Sequence, residues 1–232
     1  MKIRVKFTKY GALKFIGHLD IMRYFQKAIR RADIPIVFTE GFSPHMVMSF
    51  ASPLGLGLES EGEYMDIEIR EPISTEEGIR RLNAVMVEGI QVTDFRQIPD
   101  AKASNAMALV AAADYRVAFR EGYEPALPWP ELFLEFLSKE SIPVLKKTKK
   151  GETELDIRPL IFESRKEEHS VFLKLSSGSA ANLKPELVME AFAAFSSFEL
   201  SPFSLCITRL DMYAADPNGG FLSLNELGEK IG

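Results

Sequence analysis

The N-terminal seventy residues switch between two spacings of apolar and polar positions. Apolar side chains take every second position from Lys2 to Thr8, which predicts a half-buried strand with a basic outer face. They recur every three or four positions from His18 to Ala32, which predicts an amphipathic helix. Alternation returns over Glu63–Arg70. Ser74 and Glu77 then form a capping box, which predicts the start of a second helix.

Two short strands complete the N-terminal pattern. Val47–Ala51 and Ile90–Phe95 are predicted as strands, and the second helix is predicted to end near Glu88, before Gly89. The resulting order, strand–helix–strand–strand–helix–strand, is the ferredoxin-like pattern. In this pattern both helices pack on one face of an antiparallel sheet with strand order 4-1-3-2. We expect the other face of that sheet to stay open.

The same order of elements is predicted after residue 112, although no sequence repeat connects the two halves. The predicted elements are strands at Tyr115–Phe119, Val171–Leu175 and Leu205–Leu210, helices at Pro130–Glu140 and Pro185–Phe195, and a hairpin joining Ile142–Lys146 to Glu154–Arg158. We therefore expect an α+β protein with two tandem ferredoxin-like (βαββαβ) units and antiparallel sheets. The predicted domains are residues 1–97, which carry the basic helix, and 113–215. A linker over 98–112 joins them, and 216–232 form a tail that is expected to be frayed.

Composition excludes several kinds of site. The single cysteine, Cys206, excludes an internal disulfide and any Cys-based zinc or iron–sulfur centre. Because the three histidines are scattered, we expect no metal site, and we expect no cofactor. The first residues lack the apolar run of a signal peptide, and no segment has the ~20 apolar residues of a membrane span. We therefore expect a cytoplasmic protein without a membrane partner.

Charge is unevenly distributed along the chain. Residues 1–50 carry nine lysines and arginines against three acids, whereas the whole chain has a net charge of −5. A split of this kind predicts a basic surface for an anionic partner. The first strand contributes Lys2, Arg4 and Lys6, but Asp66 and Glu68 on the neighbouring strand are expected to neutralise much of this row.

Two further basic groups are candidates for binding a phosphate backbone. Arg23, Lys27, Arg30 and Arg31 share one face of the first helix, opposite its apolar stripe. This density suits nucleic acid, although a solvated helix face has the same composition. Lys146, Lys147, Lys149 and Lys150 cluster at the predicted hairpin tip. They either contact a nucleic-acid backbone or protect an exposed edge strand from aggregation.

Two histidine-containing turns are the remaining candidates in the N-terminal half. His18 lies at the start of the first helix, where the helix dipole favours a neutral ring that can accept a proton or bind a ligand. Asp20 lies in the first turn of that helix and is favourable there whatever its function. Phe42 and His45 lie in a glycine- and proline-containing loop and offer an aromatic ring and an imidazole for base stacking. Alternatively, Phe42 fills the core.

One acid–base pair in the C-terminal half is a weaker candidate. Asp156 and Arg158 are two residues apart, and the alternation predicts that both lie on one face of a strand. They either pair with each other or leave the arginine to bind an RNA phosphate.

Residues 7–69 closely resemble the N-terminus of the radical-SAM-linked protein family, a bacterial domain of unknown function. The matching motifs are Gly17–Asp20, Arg30–Ala32, Gly41–His45 and Pro53–Gly57. A second resemblance lies in Lys149–Gly151 with Asp156–Pro159. The resemblance implies a partner: family members are encoded beside, or fused to, a radical SAM protein with a cobalamin-type domain. With one cysteine, this chain lacks the three-cysteine cluster motif of the radical SAM enzyme itself.

Three functions are compatible with these observations. The first is a non-catalytic accessory protein that binds tRNA or rRNA and works with the radical SAM enzyme. The second is a metal-independent endoribonuclease in which His18 is the general base, as the similar CRISPR-associated endoribonucleases with tandem ferredoxin-like domains suggest. The third is a scaffold that binds only the radical SAM protein. Of these, the accessory RNA-binding protein is the function we expect, and an enzyme is not.

Overall fold

The computed structural model describes residues 1–148 and 151–232, and within them the chain is a mixed α+β protein with five α-helices. The N-terminal elements are β1 (Lys2–Lys9), α1 (His18–Arg31), β2 (Met48–Phe50), β3 (Glu59–Glu68), α2 (Thr75–Asn83) and β4 (Val92–Ile98). The next are α3 (Ala106–Leu109), β5 (Val110–Phe119), α4 (Trp129–Leu137), β6 (Pro143–Thr148) and β7 (Gly151–Asp156). The last are β8 (Ile161–Lys166), β9 (Val171–Ser176), α5 (Pro185–Phe195), β10 (Leu205–Ala215) and β11 (Phe221–Ser223).

The two N-terminal helices form where their local signals predict. The apolar stripe of α1 buries Ile21, Phe25 and Ile29 against the sheet. The Ser74 hydroxyl accepts a hydrogen bond from the backbone N–H of Glu77 at 3.2 Å, which confirms the cap of α2. However, α2 ends at Asn83 rather than near Glu88. The reason is that the Asn83 amide forms two 2.8 Å hydrogen bonds with the backbone of Val92 at the start of β4.

The strands of both halves join one sheet. In the N-terminal half the order is β4-β1-β3, with β2 also paired to β3, and every pairing is antiparallel. In the C-terminal half the order is β10-β5-β9-β8, again antiparallel. A short parallel pairing of β10 with β3 connects them into a nine-stranded sheet, which corrects the expectation of separate antiparallel sheets.

A glycine allows the two halves to meet closely. Arg209 of β10 is in register with Ser60 of β3, and Gly62 lies two residues further along β3. A Cβ atom at Gly62 would lie 2.6 Å from the carbonyl oxygen of Leu210, far inside van der Waals contact. The junction between the halves therefore requires glycine at this position.

The second half departs from the sequence prediction in its hairpin. The predicted hairpin exists as β6 and β7, but these strands form a separate two-stranded sheet. The sheet strand beside β9 is instead β8, which the sequence prediction missed. β8 alternates poorly because it is rich in exposed charged residues. The predicted linker over 98–112 contains the short helix α3 and the start of β5.

The second face of the N-terminal sheet is covered, and the C-terminal tail helps to cover it. On that face Arg4 is 1% exposed and donates to the carbonyl of Leu224, which is itself fully buried, at 3.1 Å. Further along the tail, Gln97 at the sheet edge exchanges two backbone hydrogen bonds with Glu229 at 2.9 and 2.8 Å. The Thr75 N–H donates to the Ile231 carbonyl at 3.0 Å. Both expectations, of an open face and a frayed tail, are therefore wrong. Among the described residues, every helix is too short or too polar to cross a lipid bilayer.

Candidate nucleic-acid interface

Arg4, the middle residue of the predicted basic strand row, is buried in an ion pair. Its guanidinium donates from Nε and Nη2 to the two carboxylate oxygens of Asp66, at 2.9 and 3.0 Å. The same guanidinium also donates to the backbone carbonyls of Ser104 and Leu224, at 2.7 and 3.1 Å. Arg4 is 1% exposed, so it holds the fold together and is unable to reach a ligand.

The other two members of that row are also neutralised. Lys2 pairs with Asp100 at 2.8 Å, and Lys6 pairs with Asp211 at 3.2 Å. Sequence reasoning was right about neutralisation but wrong about one partner, because the neighbour of Lys2 on β3, Glu68, is not the carboxylate that binds it. The strand row is therefore not a phosphate site.

The basic face of α1 remains at the surface. We call it the helix ridge; its members, all exposed, are Arg23, Lys27, Arg30 and Arg31. Arg23 pairs with Asp20 at 3.2 Å, and both side chains are largely exposed, so this pair is weak. Within the described residues, no carboxylate lies at ion-pair distance from Lys27 or Arg30. These two cations are free to contact an anion.

The last residue of the helix ridge is tied to the neighbouring helix region. Arg31 donates to the carbonyl of Val85 at 3.1 Å, which fixes its side chain, and it forms no ion pair with a carboxylate of the described residues. An arginine held in this way still offers further N–H groups to a phosphate.

The arginines of α2 behave differently. Arg80 and Arg81 both donate to the carboxylate of Glu77, at 2.7 and 2.6 Å. The hydrogen bonds from Arg80, which have the larger effect, and from Arg81 lower the pKa of Glu77 to about 2. The positive charge on α2 is thus shared with a carboxylate, whereas that of Lys27 and Arg30 on α1 is not.

The 40–45 loop presents its aromatic ring to solvent. Phe42 is fully exposed, so the interpretation that it fills the core is wrong. Gly41 has a φ of 109°, a conformation that favours glycine and turns the chain sharply before Phe42. The Thr39 hydroxyl lies 3.1 Å from Nδ1 of His45 and accepts from the His45 N–H at 3.1 Å. The same loop therefore carries an imidazole held in place by Thr39 and an exposed phenyl ring.

His18 lies in a different environment from His45. Its ring packs edge-on against Phe50 with centroids 5.3 Å apart, and it lines a cavity of about 20 Å³ together with Lys9 and Glu63. A space of that size holds about one water molecule and not a nucleotide. Lys9 donates to the Ile16 carbonyl at 2.9 Å, and burial lowers the pKa of its ammonium. His18 thus packs in the wall of this cavity.

The structure changes the interpretation of Asp156 and Arg158. Arg158 lies in a 3₁₀ turn after β7, not on a strand face with Asp156. The Asp156 carboxylate accepts hydrogen bonds from the backbone N–H groups of Ile142 and Arg158, at 2.8 and 3.0 Å, which lower its pKa. The Arg158 guanidinium donates to the Ile161 carbonyl at 3.0 Å. Both residues therefore support local structure. The candidates Lys149 and Lys150 lie outside the described residues.

Buried polar contacts between the halves were not predicted. Arg209 on β10 donates to both carboxylate oxygens of Glu63 on β3, at 2.8 and 2.6 Å, and to the Ser52 carbonyl at 2.8 Å. Tyr64 on β3 also donates to the carboxylate of Asp211 on β10. No sequence signal identifies partners so far apart in the chain. Among the described residues, no group of three or more metal-ligating side chains could hold an ion.

Comparisons with known proteins give a family but no activity. A family model described as "Uncharacterized protein conserved in bacteria (DUF2344)" matches residues 2–185. No curated protein matches the chain.

Proposed function

The chain belongs to this uncharacterized bacterial family, and we propose that it is a non-catalytic accessory protein that binds tRNA or rRNA through the helix ridge and the 40–45 loop. The observation that carries this proposal is the free charge of Lys27 and Arg30. Each is exposed, and neither meets a carboxylate among the described residues. The formation of ion pairs with phosphates would release counterions from the RNA, which favours binding.

Clustering makes the helix ridge distinctive. Ion pairs with carboxylates occupy the cations of the strand row and the arginines of α2, β4 and β10. Single exposed lysines elsewhere, such as Lys184 and Lys230, also have no ion pair with the described residues, but on α1 four exposed basic residues share one face. This clustering supports a phosphate partner for α1 in a chain whose net charge is −5.

The 40–45 loop offers rings for base stacking, which the cations of the helix ridge do not provide. Phe42 exposes its whole ring, and Thr39 holds the imidazole of His45 in the same loop. Unpaired bases stack on rings of this kind, at about 1–3 kcal/mol per base. Because single-stranded RNA offers unstacked bases and duplex RNA does not, we propose that the partner RNA contains an unpaired segment.

Two finer proposals accompany the RNA-binding function. The first is that each half is a ferredoxin-like unit, which the strand orders β4-β1-β3-β2 and β10-β5-β9-β8 support. The second rests on the resemblance to the radical-SAM-linked family: the RNA is presented to a radical SAM modifying enzyme in the cytoplasm. No observation favours the endoribonuclease, because the cavity beside His18 does not admit a nucleotide.

The proposal is tested by matched charge reversals. We expect K27E/R30E to weaken binding of fluorescent tRNA or rRNA fragments at least tenfold at low salt. The control K184E/K230E makes the same change in net charge at two exposed lysines outside α1 and is expected to bind like wild type. Equal losses in both variants, or no binding by wild type at low salt, would contradict the proposal. In the second case, co-purification with a radical SAM protein would favour the scaffold function.

A further inference from the structure

A large cleft lies between the two halves of the chain, and no residue of the helix ridge lines it. Its volume is about 530 Å³, which is in the range of small-molecule sites. Phe15 and Leu56 line it from the N-terminal half, and Phe203 lines it from the loop before β10. Each of these three side chains is more than half exposed. The cleft thus has two aromatic rings and one aliphatic side chain available to an occupant.

Two polar atoms in the wall of the cleft are buried without partners. Ser204 is 2% exposed, and its hydroxyl oxygen forms no hydrogen bond with the described residues. The Oε2 atom of Glu186, in the first turn of α5, is also buried and accepts no hydrogen bond from the part of the chain that the structure describes. Unsatisfied buried polar atoms are costly. A change of rotamer at these two side chains would let an occupant that forms hydrogen bonds remove that cost.

The same cleft contains an unpaired cation. Arg120 lines it, and the Arg120 backbone N–H donates to the Ser204 carbonyl at 2.7 Å, which fixes the two residues side by side. No carboxylate lies at ion-pair distance from the Arg120 guanidinium among the described residues, although Glu186 and Glu190 line the same cleft. An occupant must therefore suit both a carboxylate and a separate guanidinium.

We propose that this cleft is a binding site for a guanine nucleotide. The Watson–Crick edge of guanine has two adjacent donors, N1–H and N2–H, which match one carboxylate, and an O6 acceptor for a hydroxyl. Glu186 and Ser204 supply those groups, while Phe203 or Phe15 supplies a face for the base. The phosphate pairs with Arg120. Adenine presents the N1 acceptor to the carboxylate, and a purely cationic occupant is repelled by Arg120.

This site is separate from the proposed RNA-binding surface, because Phe42 and the helix ridge do not line the cleft. A substitution at Phe42 or in the helix ridge is therefore expected to change RNA binding without changing the binding of a mononucleotide. A free nucleotide and an unpaired guanosine in an RNA chain present the same groups to the cleft, so both are tested as occupants.

Calorimetric titration of the intact protein with GMP and with AMP tests the site. We expect GMP to bind about tenfold more tightly than AMP. Phe203→Ala is expected to weaken GMP binding by ~5- to ~150-fold, the range for loss of one base–aromatic stack. Glu186→Gln is expected to abolish the preference for GMP. Phe42→Ala, a second exposed phenylalanine in a loop, is the matched control and is expected to bind GMP like wild type.

Three results would overturn the site: no GMP binding at millimolar concentration, equal affinity for GMP and AMP, or an unchanged preference in Glu186→Gln. The source of the nucleotide is then identified by competition. If an oligouridylate with one guanosine displaces GMP, the site reads RNA; if it does not, the site takes a free nucleotide.

Discussion

Arg4 on β1 and Asp66 on β3 form a buried bidentate ion pair that ties four parts of the chain together. Asp66 also accepts from the backbone N–H of Ala106 at 2.7 Å. Arg4 reaches Ser104 and Leu224, so the pair fixes both the segment after β4 and the C-terminal tail to the sheet. Arg4, which the sequence pattern placed in a candidate phosphate-binding row, therefore stabilises the fold instead.

Loss of one member of this pair is expected to destabilise the fold. Asp66→Asn leaves the Arg4 charge buried without its counter-ion, which costs about 3–5 kcal/mol. Asp20→Asn removes an exposed partner from Arg23 and is the matched control, with an expected loss of no more than about 1 kcal/mol. Urea unfolding measures both. Equal losses would mean that Arg4 and Asp66 do not form a buried pair.

Gly62→Ala tests the junction between the halves. The new methyl group meets the Leu210 carbonyl at 2.6 Å, so β3 and β10 must separate, and overpacking of this kind costs about 1–3 kcal/mol. Gly55→Ala is the control, because Gly55 does not have a positive φ and a Cβ atom there would lie 3.5 Å from the Leu58 side chain, an ordinary van der Waals contact. Thermal unfolding of Gly62→Ala and Gly55→Ala is therefore expected to show a clear loss only in the first.

The low pKa of Glu77 predicts a dependence of stability on acid. Hydrogen bonds from Arg80 and Arg81 lower this pKa from 4.5 to about 2 in the folded protein. The interaction of the Glu77 carboxylate with the two arginines therefore stabilises the fold above pH 4.5, and this contribution is lost as the pH falls towards 2. The stability difference between wild type and Glu77→Gln is expected to shrink over that range. Glu76→Gln removes the neighbouring exposed carboxylate, which forms no ion pair with the described residues, and serves as the control. A constant difference for Glu77→Gln would contradict the pairing.

The parts of the fold that were predictable depend on short-range signals. The stripe of α1 and the Ser74 cap of α2 lie within one or two turns of sequence, so both ends of α1 and the start of α2 were found, while the end of α2, set by the contact of Asn83 with Val92, was not. The parallel contact of Arg209 with Ser60 joins residues from opposite halves, and no local pattern encodes it. The single sheet was therefore not predictable from periodicity.

The candidate site was only partly predictable for a similar reason. Exposure of the helix ridge follows from its position opposite an apolar stripe. Which cations stay free depends instead on where carboxylates arrive from other segments, such as Asp100 beside Lys2. The spacing of residues was also unable to decide whether Phe42 fills the core, because a loop has no face that the sequence assigns to the interior. In the structure, its ring is free.

Phe42→Ala is expected to separate binding from folding. Because the Phe42 ring is fully exposed and does not pack in the core, the free energy of unfolding should change by less than about 0.5 kcal/mol. The loss of one stacked base should weaken binding of an unpaired RNA by about tenfold. Tyr123→Ala, which removes another exposed aromatic ring, serves as the control. Equal RNA affinity for wild type and Phe42→Ala would show that the loop is not part of the interface.

The salt dependence of RNA affinity tests the central claim, that Lys27 and Arg30 contact phosphates. Each phosphate contact contributes about 0.7 (single strand) to 0.9 (duplex) to the slope of log affinity against log salt concentration. The variant K27E/R30E is therefore expected to bind with a slope shallower than that of wild type by about 1.4–1.8, while K184E/K230E keeps the wild-type slope. The same slope in all three proteins would contradict a phosphate interface on α1.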